Sequence, residues 1–328
     1  MSISRISHVP PGSQDLLADA VRRRRRIQRT WFELAERSGY AEVIPPTFEY
    51  EEVFTLGAGA DLSRRLLRFV DRDGRVVALR ADFTSSIARL AATKLASHTG
   101  ALRLSYAGKV YRQAAEGDHR GREVFQLGAE LIGEAGVRGD AEIFGLLIET
   151  LRSLGLRDFQ VNVGDVRFLR PLLDPFEPAE RERLHTAIDR KDRALLAELG
   201  GSLPNGNGVR AALSGLPDLI GRGPVLERAA GLACGAEAAE AISRLQALDR
   251  ALPEDLRRHL VYDLGEIRGL DYYTGLQLEV FVAGAGRAVG FGGRYDDLLA
   301  LYGSDRPAIG FALELDTLAE LAGAEPVS

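Results

Sequence analysis

Apolar side chains recur at helical spacing between Asp15 and Ser38. Leu17, Val21, Ile27, Trp31 and Leu34 follow a Pro-Gly-Ser turn at Pro11 to Ser13, and the pattern predicts a first helix. Glu42 to Pro46 reads as a short strand stopped by its proline pair, because proline cannot donate to a ladder. Leu67 to Val70 and Val76 to Leu79 flank Asp71-Arg72-Asp73-Gly74, which is a hairpin signal. A helix starting near Thr84 carries Ile87, Leu90, Ala91 and Leu95. Strand patterns follow at Leu102 to Tyr106, Val110 to Gln113 and Glu123 to Ile132, with a polar stretch at Ala114 to Gly121. A helix from about Gly139 to Leu154 and a strand from Asp158 to Val163 come next.

The texture changes at Asp165. Helical pieces rich in Ala, Leu, Arg and Glu run to about Leu252, broken by Pro204 to Gly208, Gly215 to Pro217 and Gly221 to Pro224. Strand patterns return at Leu260 to Leu264, Leu276 to Val282 and Ala288 to Gly290, and a helical segment at Thr317 to Ala322 comes last. Strands on both sides of a helical block predict an α+β fold, with a mainly antiparallel sheet flanked by helices. The expected organisation is a core of residues 1–164 and 256–328, interrupted by a helical insertion subdomain at 165–255.

At 328 residues the chain is long enough to bury a full core without disulfides or metal. A net charge of −5 provides no global positive field for nucleic acid. The run Arg22 to Arg26 does not change that picture: five consecutive helical residues splay over about 400° and cannot share one face. The run reads as a solvated helix surface, with some stems packed sideways. Cys234, the single cysteine, excludes an internal disulfide framework and a Cys-based zinc cluster. No stretch approaches 18 uncharged apolar residues and Met1 to Pro11 has no apolar signal core, so no membrane association and a cytoplasmic location are expected.

No nucleophile–base constellation can be read from spacing. His8, His98, His119, His185 and His259 are scattered and read as surface or satisfied core residues. Neither a GxxxxGK[ST] loop nor a GxGxxG after a strand is present, and Gly290, Gly292 and Gly293 fit a close backbone crossing or tight turn better. No catalytic residue, metal or cofactor is expected. Four segments nonetheless place charged and hydrogen-bonding side chains inside apolar strand patterns. They are Leu79 to Thr84, Tyr111-Arg112 with Gln126 to Glu130, Arg268 to Thr274, and Gly292 to Asp296. Buried charge is costly unless it is paired or holds a ligand, so a structural salt-bridge network and a binding site are both open. The set suits a zwitterionic amino acid. Asp82 and Thr84 accept from an ammonium, Arg112 or Arg268 neutralises a carboxylate, and Glu130, Gln126 and a tyrosine hydroxyl address a polar ring.

Arg268 to Thr274 (RGLDYYT), Gly292 to Asp296 (GGRYD) and Phe125 to Glu130 (FQLGAE) resemble the histidine-recognition and motif 2 segments of histidyl-tRNA synthetases. Pro11 to Asp15 and Gly39-Tyr40 through Pro46 resemble their N-terminal turn and class II motif 1. The matches are collinear over about 15 to 310. The resemblance implies the class II aminoacyl-tRNA synthetase-like catalytic-domain fold, a homodimer formed through motif 1, and a helical insertion. It also implies a histidine-binding pocket of Asp82, Thr84, Arg112, Gln126, Glu130, Arg268, Tyr272, Tyr273 and Tyr295, with Asp82 where glutamate is usual.

The nucleotide side departs from that family. Ala114 stands where a glutamate helps to hold adenine, and Ala115 where another arginine is usual. Thr317 falls at the place of the motif 3 arginine that grips the ATP phosphates. Such transfers depend on positioned positive charge. This combination resembles the synthetase-like regulatory subunits of ATP phosphoribosyltransferase. That resemblance implies a non-catalytic subunit acting in the first step of histidine biosynthesis. Its partners would be the short-form catalytic subunit in a larger hetero-oligomer and L-histidine as a feedback ligand, with no role for tRNA. The alternative is a catalytically active truncated histidyl-tRNA synthetase or histidine-adenylating enzyme.

Overall fold

The amphipathic stripe of the first helix, α1 (Ala18–Arg37), has a clear purpose: Ile27, Trp31 and Ala35 lie buried one turn apart against the main sheet. The Trp31 indole donates to the Tyr106 carbonyl at 3.1 Å, which ties the helix to a central strand. Of the arginine run, Arg24 turns sideways. It forms a two-point pair with Asp316 at 2.8 and 2.7 Å and lies 4.7 Å from the Phe125 ring centroid, while Arg22, Arg25 and Arg26 are exposed. The computed structural model describes residues 8–57, 60–113, 121–203, 207–266 and 273–322.

After α1 come β1 (Ala41–Glu42), β2 (Phe48–Tyr50), α2 (Glu51–Thr55), α3 (Ala60–Arg64), the hairpin β3 (Arg68–Val70) and β4 (Val76–Leu79), and α4 (Thr84–Thr93). The long strands β5 (Leu102–Tyr111) and β6 (Glu123–Ile132), helix α5 (Val137–Ser153) and strand β7 (Phe159–Asp165) follow. A mostly helical stretch then holds α6 (Val166–Leu173), α7 (Pro178–Asp189), α8 (Arg193–Gly201), α9 (Asn207–Gly215), the short β8 (Ile220–Gly221), α10 (Val225–Ala230), α11 (Gly235–Ala251) and α12 (Glu254–Arg257). The chain returns to the sheet with β9 (Leu260–Asp263), β10 (Leu276–Val282), β11 (Ala288–Arg294) and β12 (Ala308–Glu314), and α13 (Leu315–Leu321) packs last.

The main sheet has nine strands in the order β1-β5-β6-β12-β11-β10-β7-β9-β8, with parallel pairs only at β1–β5 and β7–β9. A second sheet, β2-β4-β3, covers one end. The hairpin and the mainly antiparallel sheet agree with the hydrophobic pattern. Three of the details that differ have a direct physical cause. The predicted Glu42 to Pro46 strand shrinks to Ala41–Glu42, because the Pro45 and Pro46 carbonyls leave the ladder and accept from Arg80 at 2.7 and 3.0 Å. The two strands expected on either side of Gly108 form one, since Gly108 pairs with Gln126 and its missing side chain leaves room for Phe83. Strand β12 carried no alternating signal, because nearly every one of its residues is buried on both faces.

Buried apolar residues of the helical stretch, among them Leu184, Leu196, Leu213 and Leu245, belong to one cluster with Val161 and Val163 of β7 and with Ile27 and Trp31 of α1. A buried ionic contact crosses the same boundary. Asp140 of α5 takes Arg294 on one oxygen and Arg244 of α11 on the other, each at 2.7 Å. Arg294 is 1% exposed and also donates to the Glu134 and Gly136 carbonyls. It precedes Tyr295, so this cluster fixes the end of β11 against both halves of the molecule. Breaking a buried pair leaves an uncompensated charge, and Asp140→Ala is expected to lower the unfolding free energy by about 3 to 5 kcal/mol. Chemical denaturation measures this; a loss under about 1 kcal/mol would contradict it.

Candidate functional site

Seven of the nine side chains singled out in the sequence lie among the described residues, and Thr84, Glu130 and Tyr295 meet where β6 and the end of β11 face α4. Period-2 alternation puts Gln126, Gly128 and Glu130 of β6 on that face and sends Leu127, Ala129 and Leu131 into the core behind it. Glu130 is 1% exposed. Thr84, the first residue of α4, donates from Oγ1 to Glu130 Oε1 at 2.8 Å, and the Tyr295 hydroxyl donates to Oε2. The strand beside it makes room for the carboxylate. Gly310 pairs with Glu130, and a Cβ there would meet Glu130 Oε2 at 1.6 Å and the Ala129 carbonyl at 2.5 Å.

Asp82 lies 4% exposed just before α4. Its two oxygens accept from Ser85, one from the backbone N–H at 2.7 Å and one from the hydroxyl at 3.2 Å. The shorter carboxylate is therefore bound to the first turn of the helix and retains further lone pairs for another donor. Arg112 donates from Nε to the Ala81 carbonyl at 2.6 Å, beside Asp82. Thr274 and Asp296 lock the end of β11: the Asp296 N–H donates to Thr274 Oγ1 at 2.9 Å and the Thr274 N–H to the Arg294 carbonyl at 2.8 Å. Tyr273 packs half-buried against the cluster that contains Phe83, Tyr106 and Tyr295. Arg268 and Tyr272, like Ala114 and Ala115, lie outside the described residues.

Two supports were not visible in the motifs. Tyr106, fully buried, stacks on Phe83 with ring centroids 4.2 Å apart and donates to the Phe311 carbonyl at 3.3 Å. Arg80 lies over the other side of the site's wall, 4.1 Å from the Phe83 centroid, and spends its guanidinium on the Pro45, Pro46 and Lys109 carbonyls. Only tertiary contacts disclose both roles. The glycine pairing was half legible: Gly292 and Gly293 sit on β11, where a Cβ would strike the Gly310 and Leu276 carbonyls at 2.3 and 2.5 Å, which is the close backbone approach expected of them.

The electrostatics are those of a buried pair of carboxyl groups. Burial pushes the Glu130 carboxyl up to about 8, aided by the charge of Asp82, against the two hydroxyl bonds that favour its ionised form. Burial also raises Asp82, while the Ser85 N–H and Arg112 pull it back down. Tyr106 is held well above its ordinary range by burial, then by the charges of Glu130 and Asp82. Among the described residues no group of three or more His, Cys, Asp or Glu side chains is placed to hold a metal, and no helix is long and apolar enough to cross a membrane. What the face offers is a buried carboxylate between hydroxyls, a second carboxylate and an arginine close by, and an amide on the same strand. Donors and acceptors of both kinds thus stand together on one face.

A family model described as histidyl-tRNA synthetase matches residues 12–318. Over 311 residues the chain is 38% identical to the ATP phosphoribosyltransferase regulatory subunit of Geobacter sulfurreducens, covering 94% of this chain and 71% of that one. It is 36% identical to the ATP phosphoribosyltransferase regulatory subunit of Thiobacillus denitrificans, covering 94% and 96%. A solved structure from Bacillus halodurans, described as an ATP phosphoribosyltransferase regulatory subunit/histidyl-tRNA synthetase, superposes with a TM-score of 0.87 at 30% identity, covering 98% of this chain and 84% of that one. The histidyl-tRNA synthetase of Nostoc, at 19% identity and TM-score 0.76, covering 96% and 75%, shares the fold.

The high Glu130 value has a sign that stability measurements read. The folded chain keeps this proton up to about pH 8, whereas an unfolded glutamate releases it near 4.5. Its contribution is full below pH 4.5, declines as pH rises, and is gone above about 8. Glu130→Gln is expected to flatten that decline and to exceed the wild type at pH 9 by about 2 kcal/mol or more. Parallel stability curves for the two proteins would contradict the assignment.

Proposed function

We infer the function from a family membership that is plain: the chain belongs to the ATP phosphoribosyltransferase regulatory subunits, which share the histidyl-tRNA synthetase fold. As one of these it is the non-catalytic partner of an ATP phosphoribosyltransferase catalytic subunit and serves histidine biosynthesis. The finer reading is that the catalytic subunit is the short form, that L-histidine binds the pocket around Glu130, and that this binding feeds back on the transferase.

The observation that supports the histidine reading is the state of Glu130, buried at 1% exposure and oriented by Thr84 and Tyr295 with no catalytic group beside it. Glu130 and Tyr273 address the imidazole. Arg268 and Gln126 meet the carboxylate, and Asp82 and Thr84 the ammonium. Thr84 suits this double duty, since its hydroxyl donates to Glu130 and keeps its lone pairs for a cation. Feedback requires that histidine bind one state of the complex better than another, and a coupling of about 1 to 3 kcal/mol is enough.

A homodimer core within a larger assembly, in the cytoplasm, completes the reading. Its support is an uncovered apolar surface beside the motif 1-like segment. Ile44, Phe48 and Phe69 are 86%, 57% and 42% exposed, and the two phenyl rings meet edge to face at 5.4 Å.

The test is the activity of the short catalytic subunit with and without this chain, each titrated with histidine. Activation by the chain is expected, with histidine inhibition above it. Arg268→Ala is expected to abolish histidine sensitivity while still assembling with the transferase. Undiminished sensitivity in that variant would overturn the pocket assignment, and no effect of the chain on the transferase would overturn the regulatory reading.

A further inference from the structure

The helical stretch carries a cavity that the amino-acid pocket does not use. It opens where the start of α10, the last turn of α11 and α12 meet β9, and its volume is about 670 Å³. Leu226 and Leu260, both buried, form the apolar part of its wall. Four arginines line it: Arg222 just before α10, Arg250 in the last turn of α11, and Arg257 and Arg258 at the end of α12. They are not equivalent. Arg257 is committed within the wall, with Nη2 2.5 Å from Glu254 Oε2 and Nη1 3.7 Å from Asp249 Oδ2. Arg222 donates to the Arg258 carbonyl, which joins the entry of α10 to the exit of α12. Among the described residues Arg222, Arg250 and Arg258 have no carboxylate oxygen within 4 Å, and all three are exposed.

That unmatched charge reaches the interior. His259 is 8% exposed, stacks on Phe159 with ring centroids 4.1 Å apart, and is held below the ordinary histidine range. Burial is the main cause; the Phe159 carbonyl opposes it, and the charges of Arg152, Arg258 and Arg222 add to it.

The placing of the arginines says what they fit. A compact polyanion needs its cations gathered at one spot, but these come from separate elements, and the carboxylates of Glu227, Asp249 and Glu254 line the same wall. Such a wall repels a dense negative charge. It suits single carboxylates spaced along a polypeptide, each taken by one guanidinium in two-point geometry. Arginine is also among the residues enriched where proteins meet. The cavity adjoins β9 near one edge of the main sheet, whereas Ile44 follows β1 at the opposite edge. A partner held here leaves uncovered the surface that supports self-association.

We propose that this cavity is where the ATP phosphoribosyltransferase catalytic subunit docks, through an acidic segment whose carboxylates pair with Arg222, Arg250 and Arg258. The docking site rests on the family reading of the chain as that subunit's partner, and it adds the surface on which the two meet.

Calorimetric titration of the full chain with the short catalytic subunit tests it. Wild type is expected to bind, and to bind more weakly as salt rises from about 50 to about 500 mM. Arg250→Glu/Arg258→Glu, which leaves the bond from Arg222 to the main chain in place, is expected to bind at least about tenfold more weakly with histidine affinity unchanged. Arg250→Lys/Arg258→Lys keeps the charge and is expected to lose less. Arg183→Glu/Arg190→Glu makes the same change of net charge at two exposed arginines outside the cavity wall, and is expected to bind like wild type. Arg250→Gln/Arg258→Gln serves in place of the glutamate pair should that variant lack a cooperative thermal transition. Undiminished binding by the folded cavity variant, or an equal loss in the Arg183/Arg190 control, would overturn the docking site. No binding by wild type would overturn the partnership itself.

Discussion

A carboxylate sealed inside a sheet face governs this structure. Glu130 has almost no contact with water, and among the described residues its two oxygens accept from the hydroxyls of Thr84 and Tyr295. Such a group is expensive to ionise, which is why it holds its proton to about pH 8. The surroundings are arranged to keep it there. Gly310 clears the space beside it, α4 begins at the residue that binds one oxygen, and the Asp140–Arg294 pair fixes the backbone that supplies Tyr295 to the other. A ligand carrying a positive charge would favour the ionised form of this group.

The two ends of the same face differ in what they can accept. Around Glu130 the polar groups have capacity to spare, as at Asp82, where each oxygen uses one acceptor position on Ser85. Around Glu314 the charges are already matched, with Arg287 and Thr317 closing on one another. The buried ionic contact through Asp140 also joins Arg244 of helix α11 to Arg294, the residue before Tyr295.

Much of this was legible in the sequence. The Asp71 to Gly74 turn, the full length of β6 and the start of α4 follow from alternation, turn chemistry and spacing. The grouping of Asp82, Thr84, Arg112, Gln126, Glu130, Tyr273 and Tyr295 followed from charges standing in apolar strands together with the synthetase-like motifs. Strand β12 escaped notice because burial on both faces removes the period-2 signal, and β2 because three residues are too few to show one. Arg287 was illegible for a different reason. It follows Gly284 and Gly286, which signal a turn but not a partner, and only the pairing of β10, β11 and β12 brings it onto Glu314. Arg24 was half legible: that some stem in the arginine run must pack sideways follows from helix geometry, but its partner Asp316 lies 292 residues away in the chain.

The central claim, that the buried carboxylate exists to receive the free amino acid, meets its most direct test in a titration of L-histidine into wild type and into Glu130→Leu, with ATP as a second titrant. The account requires saturable heat for histidine in wild type, none in the leucine variant if it retains a cooperative melt, and none for ATP in either. Histidine binding that survives in a folded Glu130→Leu protein, or ATP binding by wild type, would contradict it.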